Sequence, residues 1–453
     1  MKKRILTILL LLILSVNANS QHLPYIQTEN AKKDIEGMVS NFEKTHYNPY
    51  FITTKASFNK KKASLISDWE KDSISLKKFM VTGMKLSALL SGGHSYMDWK
   101  NPKIIPSIKL HQYIPFTGSL STDNKTFVVT KSIHSEITEG TRILSINGID
   151  IVDLFKECTS YIGGIETFKN STCEKVFPLY LFFNDKLKAP YTILCDDKNE
   201  IKTTGLSINE FLKFIKKNES YENYSFEIID NKVGLISYNS CTDYKKFKKF
   251  LIKTFKELKE KNINKLIIDI RENGGGDSSL NDLLLAYITT KSYRQSSGRF
   301  WKVSQAAKEV YAANKAYKKL FGEEFMTKYY NTPNQEIIES FNDDDLTDPI
   351  SPKNYFKGKT CFLIGSNTFS SANFLADAVK TYKLSTLIGT ATGEYTNDFG
   401  EQISFSLPNS GCKVYVSSTY DIGANGDKTI LAPVYPDVKV TNNALQFAIG
   451  WLK

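Results

Sequence analysis

The sequence predicts a mixed α/β (α+β) protein: a layered α/β domain in its second half, preceded by a β-rich segment and a helical N-terminal region. Three observations carry this. From residue 225 onward strand-like and helix-like stretches alternate, the order that builds a sheet covered by helices. Between residues 95 and 200, short apolar runs are separated by Gly, Asn and Asp, the punctuation of strands and turns. Between residues 24 and 91, apolar residues recur at helical spacing: Ile35, Met38, Val39 and Phe42, then Met80, Met84, Leu86, Leu89 and Leu90.

The first twenty residues read as an address. Lys2-Lys3-Arg4 precedes an apolar run from Ile5 to Val16, then Asn17, Ala18, Asn19 and Ser20, the order of a secretory signal. The run is about 12 residues, short of the roughly 20 that a membrane span needs. The expectation is an exported bacterial protein, periplasmic or extracellular, without stable membrane insertion. A helical region (21–94) and a β-rich region (95–205) follow. In the latter, Arg142–Ile146 reads as a strand meeting a tight Asn147-Gly148 turn and a short helix. The phrase EGTRILSINGIDIVDLF resembles the core of PDZ-type domains.

The α/β region spans 206–453. VGLISYNS is a strand, and the next helix gathers Phe247, Phe250, Leu251, Phe255 and Leu258 on one face with its lysines opposite. NKLIIDIR reads as a strand buried on both sides, SLNDLLLAYI as a helix. Residues 292–355 read as an insertion, largely helical, with an acidic run Asp343-Asp344-Asp345. KTCFLIG is a strand, SANFLADAVKTY a helix, EQISFSLPNSGCKVYVSS a hairpin, and NALQFAIGWL a closing helix.

Composition excludes several classes. With 453 residues, 41% hydrophobic, the chain is neither disordered nor a disulfide-held miniprotein. Its net charge of +11 is spread along the chain, and the lysines of the amphipathic helix read as a solvated face, so a nucleic-acid partner is not indicated. The cysteines, Cys158, Cys173, Cys195, Cys241, Cys361 and Cys412, include no CxxC, and HExxH and GxxxxGK[ST] are absent. No metal or other cofactor is expected.

Three stretches carry chemistry. Ile267–Ser278 (IIDIRENGGGDS) runs a buried strand into three glycines, whose N–H groups can approach a developing oxyanion closely. Phe362–Lys380 ends a strand at Gly365 and opens a helix near Ser370, at the positive end of the helix dipole and beside the Ser371 N–H. LLSGGHSYMDW sets His94 after two glycines. Alone, the serine is an N-cap and the histidine a loop residue; together the three are the parts of a serine acyl-transfer site.

They also resemble, in order, the landmarks of the C-terminal processing (tail-specific) peptidases, and within them the tricorn-core and retinoid-binding-protein-like branch. Asp269-Ile270-Arg271-Glu272-Asn273-Gly274-Gly275-Gly276 matches the family's strand-end pattern, Phe369-Ser370-Ser371-Ala372-Asn373 its nucleophile segment loosely, and Gly92-Gly93-His94-Ser95 the histidine motif of the branch. Leu407–Gly411 and Tyr435–Val440 resemble its closing β-elements. The resemblance implies a crotonase-like layered catalytic domain with a PDZ-like β-rich domain, acting on peptide or unfolded protein. It implies Ser370 as nucleophile, His94 as general base, and Ser371 with Gly275 or Gly276 as oxyanion donors. The acid behind the histidine is expected at Asp427, with Glu401 as runner-up. Where most of the family carries a lysine base, this chain has Tyr395, between Glu394 and Thr396. The alternative is an inactive homologue that binds peptides or a small ligand.

Overall fold

A computed structural model describes residues 23–90, 92–216, 222–341 and 346–452. The expected export signal and the acidic run Asp343-Asp344-Asp345 lie outside the described residues. The chain divides into two compact units. One holds the described residues up to 216 with 309–314 and 402–417; the other holds those of 222–308, 315–401 and 418–452.

The first unit opens with helices α1 (Thr28–Thr45), α2 (Lys55–Ile66) and α3 (Leu76–Ser87). Thr54 and Ser75 cap the latter two, their hydroxyls accepting from the N–H groups of Ser57 and Lys78. Ile35, Met38 and Phe42 of α1 meet Phe79, Met80 and Met84 of α3 in one core. The buried Asp34 of α1 accepts from the Asn409 N–H (3.2 Å), Asn409 Nδ2 (2.7 Å) and the Ser410 N–H (2.7 Å), fastening a hairpin tip to the helix.

An antiparallel sheet follows: β1 (Phe116–Leu120), β2 (Phe127–Ser132), β3 (Arg142–Ile146), and, after helices α4 (Ile151–Thr159) and α5 (Glu166–Tyr180), β4 (Tyr191–Cys195) and β5 (Glu200–Thr203). The turn after β3 holds Asn147 at φ 52 and Gly148 at φ 76, the left-handed pair that a two-residue hairpin demands. Phe116, Phe127, Phe155 and Phe177 stack between sheet and helices at ring spacings from 5.0 to 6.3 Å. The strand-rich reading of this region missed α5. Its Ser, Thr and Asn are weak helix formers, but burial of Phe168, Cys173 and Phe177 decides the conformation.

The second unit is the layered domain. Its elements run β6 (Tyr224–Ile229), β7 (Val233–Tyr238), α6 (Tyr244–Glu260), β8 (Lys265–Asp269), α7 (Ser279–Leu285), β9 (Ser296–Lys302), β10 (Ile337–Phe341), β11 (Lys359–Ile364), α8 (Ser371–Thr381), β12 (Thr386–Gly389), β13 (Asp398–Ser406), β14 (Lys413–Gly423), β15 (Val438–Lys439) and α9 (Ala444–Leu452). The main sheet has the order β6-β7-β8-β11-β12-β15, all parallel except β6. Successive residues of its central strands point to opposite layers. Ile236, Leu266, Ile268, Phe362 and Ile364 pack with the buried faces of α6, α7 and α8. Leu235, Ile267, Cys361, Leu363 and Ile388 pack against Ala444, Ala448, Ile449 and Leu452 of α9. Strands buried on both faces account for the unbroken apolar runs of the sequence.

A second sheet has the order β10-β9-β14-β13; β13 and β14 run on from this unit into the first, where Val414 and Tyr415 pair with Met97 and Tyr96. The segment 292–355 is therefore not a largely helical insertion. It begins and ends in paired strands, and β9 is bonded along β14 from Ser296 to Trp301. Helices Gln305–Ala313, Ala316–Phe321 and Glu323–Asn331 lie between. The strand was hidden because β9 reads SSGRFWK, with Phe300 and Trp301 as its apolar pair and neither a longer apolar run nor an alternating pattern. Among the described residues, no helix is long and apolar enough to cross a membrane.

Candidate active site

Parallel strands β8, β11 and β12 are neighbours, so their C-terminal ends open at the same edge of the sheet, where ligands bind in such folds. The glycine motif follows β8, Ser370 follows β11, and Glu394 follows β12.

Asn273, fully buried, organises the glycine turn. Its Oδ1 accepts from the Gly275 N–H at 2.9 Å and from Cys241 Sγ at 3.6 Å, and its carbonyl accepts from the Phe369 N–H at 3.0 Å. The turn thus reaches the residue before Ser370. Gly275 sits at φ 87, and a Cβ there would lie 2.6 Å from Ser370 Cβ. Gly276 sits at φ 138, and its Cβ would lie 2.2 Å from the Cys241 carbonyl oxygen. Only glycine fits either place. The Ser371 hydroxyl donates to the Gly276 carbonyl at 2.6 Å, closing the turn onto the start of α8.

Ser370 is half-buried and immediately precedes α8, at φ 55 and ψ −129. A non-glycine residue held there costs about 1–3 kcal/mol and persists only where its surroundings enforce it. Sharp strand-to-helix turns of this kind expose the nucleophilic serine of hydrolases. Taken alone the serine reads as an N-cap, but its side chain accepts no hydrogen bond from the first turn of α8. The Gly276 and Ser371 N–H groups donate to no atom among the described residues, whereas the Gly275 N–H is already given to Asn273. Of the two glycines expected as oxyanion donors, Gly276 has the available amide, and Gly275 supplies close approach.

Ser370, Ser371, Gly275 and Gly276 therefore come together within the second unit. His94 is a residue of the first, where its carbonyl accepts from Gln402 Nε2 at 2.7 Å, and where Ser95 Oγ meets Ser417 through the N–H (3.0 Å) and the hydroxyl (3.3 Å). The two carboxylates expected behind it are residues of the second unit. Asp427 is exposed and accepts from the Thr429 N–H (2.9 Å) and hydroxyl (2.7 Å), which hold its carboxyl below the usual carboxylate range. Glu401 is paired with Arg299 at 2.9 Å. Tyr395 offers its carbonyl to Asn373 Nδ2 at 2.7 Å.

Sequence reasoning missed Glu394. It is 3% exposed, and its Oε2 accepts the Ser370 N–H at 2.5 Å. Burial pushes its carboxyl up to about 8, against the hydrogen bonds from Asp398 and the Ser370 N–H. The only signal in the sequence was its place, between Gly393 and the position of the family lysine.

Residues 232–440 match the model of peptidase family S41. The matched stretch takes in the glycine turn, Ser370 and Glu394, so this part of the chain is similar to the serine-type peptidases of that family. Mature CPAF complexed with lactacystin shares the fold, with a TM-score of 0.64 at 14% identity over 94% of this chain and 97% of that one. A second structure of mature CPAF gives 0.59 at 14% identity, over 94% and 96%. No curated protein sequence matches.

Proposed function

We propose that the chain is an exported serine endopeptidase that cleaves peptide or unfolded-protein substrates through an acyl-enzyme on Ser370. The observation that carries this is the strained backbone of Ser370 beside the glycine turn, with a side chain that does not cap its helix. In this reading His94 takes the Ser370 proton as the hydroxyl attacks the carbonyl carbon. The tetrahedral oxyanion is held by the N–H groups of Gly276 and Ser371. The protonated imidazole then gives its proton to the leaving amine, and water releases the acyl group by the reverse sequence. Losing one oxyanion donor would cost roughly 3–4 kcal/mol of barrier. The PDZ-like sheet β1–β5 would present the substrate as an added strand.

Turnover of fluorescently labelled casein by the wild type, Ser370→Ala and His94→Ala tests the proposal. Both variants should lose turnover while keeping the wild-type melting profile. Full turnover by folded Ser370→Ala would overturn it. Peptide binding without turnover by the wild type would favour the non-catalytic homologue. Asp427→Ala and Glu401→Ala, assayed alongside, test the expected acid: the one that supports His94 loses turnover.

A further inference from the structure

We infer that Glu394 is the positioning residue of the nucleophile turn: it shares one proton with the Asp398 carboxyl and grips the Ser370 N–H, fixing the strained backbone. This rests on the reading of Ser370 as nucleophile and adds a residue that acts through it.

The Ser370 N–H precedes the first turn of α8, so no helical carbonyl can receive it. Its acceptor is Glu394 Oε2 at 2.5 Å. The loop carrying Glu394 is anchored on both sides of the serine. The Gly393 N–H donates to the Thr368 carbonyl at 3.0 Å, and Asn373 Nδ2 donates to the Tyr395 carbonyl at 2.7 Å. Glu394 is thus held in register with the turn rather than laid against it.

The charges around Glu394 determine its state. It hydrogen-bonds the Asp398 carboxyl, itself buried, whose Oδ1 accepts the Phe399 N–H at 2.6 Å. Two buried carboxyl groups in hydrogen-bond contact cannot both ionise, so one proton lies between them. Asp421 also acts on Glu394 and repels a second negative charge. Asp421 is clamped by Arg299, with Nε to Oδ1 at 2.7 Å and Nη2 to Oδ2 at 3.2 Å, and the same guanidinium holds Glu401. That cation is committed to two other carboxylates. The neighbouring Tyr395 phenol is raised above its ordinary value, chiefly by burial and further by Asp398, and stays uncharged over the working range.

A shared proton makes the grip pH-dependent. Once the pair loses it, two adjacent negative charges push apart, and the carboxylate that holds the Ser370 N–H moves. Glutamine reproduces the protonated acid at every pH: its Oε1 accepts from Ser370 and its Nε2 donates to Asp398. Alanine reproduces neither bond.

The test is the rate of fluorophosphonate labelling from pH 6 to 10 for the wild type, Glu394→Gln and Glu394→Ala. Wild-type labelling should fall above about pH 8, approaching tenfold per pH unit. Glu394→Ala should be at least tenfold slower below pH 8 and lack the alkaline fall, so that the wild type approaches it at high pH, and Glu394→Gln should rescue most of that loss and abolish the alkaline fall. An unchanged alkaline limb in Glu394→Gln, or wild-type rates in Glu394→Ala, would overturn the proposal. Thermal unfolding against pH, run also in the Ser370→Ala background, separates this from the nucleophile assignment. An acid whose value rises from 4.5 unfolded to about 8 folded stabilises fully below 4.5, and loses that contribution as pH climbs through 8. Both Glu394-containing proteins should show this loss and Glu394→Gln should not, whichever serine reacts. Identical pH dependence in all three would also overturn the proposal.

Discussion

Gly275→Ala probes the glycine turn directly. The new Cβ would lie 2.6 Å from Ser370 Cβ, 2.8 Å from the Phe369 carbonyl oxygen and 2.9 Å from the Ser371 nitrogen, all at a backbone φ of 87. Two of these atoms are main chain, so a rotamer change cannot relieve them. The left-handed backbone costs about 1–2 kcal/mol for a residue with a Cβ. Overpacking adds roughly 1–3 kcal/mol. A total of about 2–5 kcal/mol is expected, at roughly 2–4 °C of melting temperature per kcal/mol for a domain of 150–250 residues. The relief available is movement of the Ser370 turn, and a displacement of about 1 Å in a catalytic geometry costs on the order of a hundredfold in rate. Fluorophosphonate labelling should therefore slow about a hundredfold, in a protein that melts several degrees lower. Labelling within twofold of wild type, at an unchanged melting temperature, would refute the close-approach reasoning.

Other consequences can be measured by thermal unfolding. Gly37→Ala, in the interior of α1 with nothing within 4 Å of the new Cβ, should stabilise by about 0.5–1 kcal/mol and leave labelling unchanged. Asn273→Ala should lower stability by roughly 1–3 kcal/mol and slow labelling, because the Gly275 N–H loses its acceptor in a buried turn. Asp34→Ala should destabilise the first unit by about 2–4 kcal/mol, since three donors lose one buried carboxylate. His111, edge-on to Tyr113 and Phe182, is lowered to about 4 chiefly by burial and further by Lys77. Its neutral form is favoured by folding, so its contribution is complete above about 6.5 and lost as pH falls through 4. His111→Phe should flatten that acid limb.

The layered domain was legible because its strands are buried on both faces, so Leu266–Ile268 and Cys361–Ile364 read as unbroken apolar runs. The glycine motif was legible for a steric reason: consecutive glycines after a buried strand mark backbone that no side chain can enter, and Gly276 against Cys241 is such a place. Ser370 was legible only as a helix start. The strained dihedrals that distinguish it from a cap sit between bonds across the sheet edge, the Phe369 N–H to Asn273 and the Ser370 N–H to Glu394, which local sequence does not encode. Glu394 itself resembled any loop carboxylate, because its meaning lies in its burial beside Asp398. Helix α5 and strand β9 escaped for a related reason: in each, tertiary burial overrides a weak local preference.

The most direct measurement is the mass spectrum of peptides from the full chain after reaction with a fluorophosphonate. The account predicts one stoichiometric adduct, on the peptide containing Ser370, absent from Ser370→Ala. A stoichiometric adduct on another serine, or a folded protein that casein turnover proves active while Ser370 stays unmodified, would contradict it.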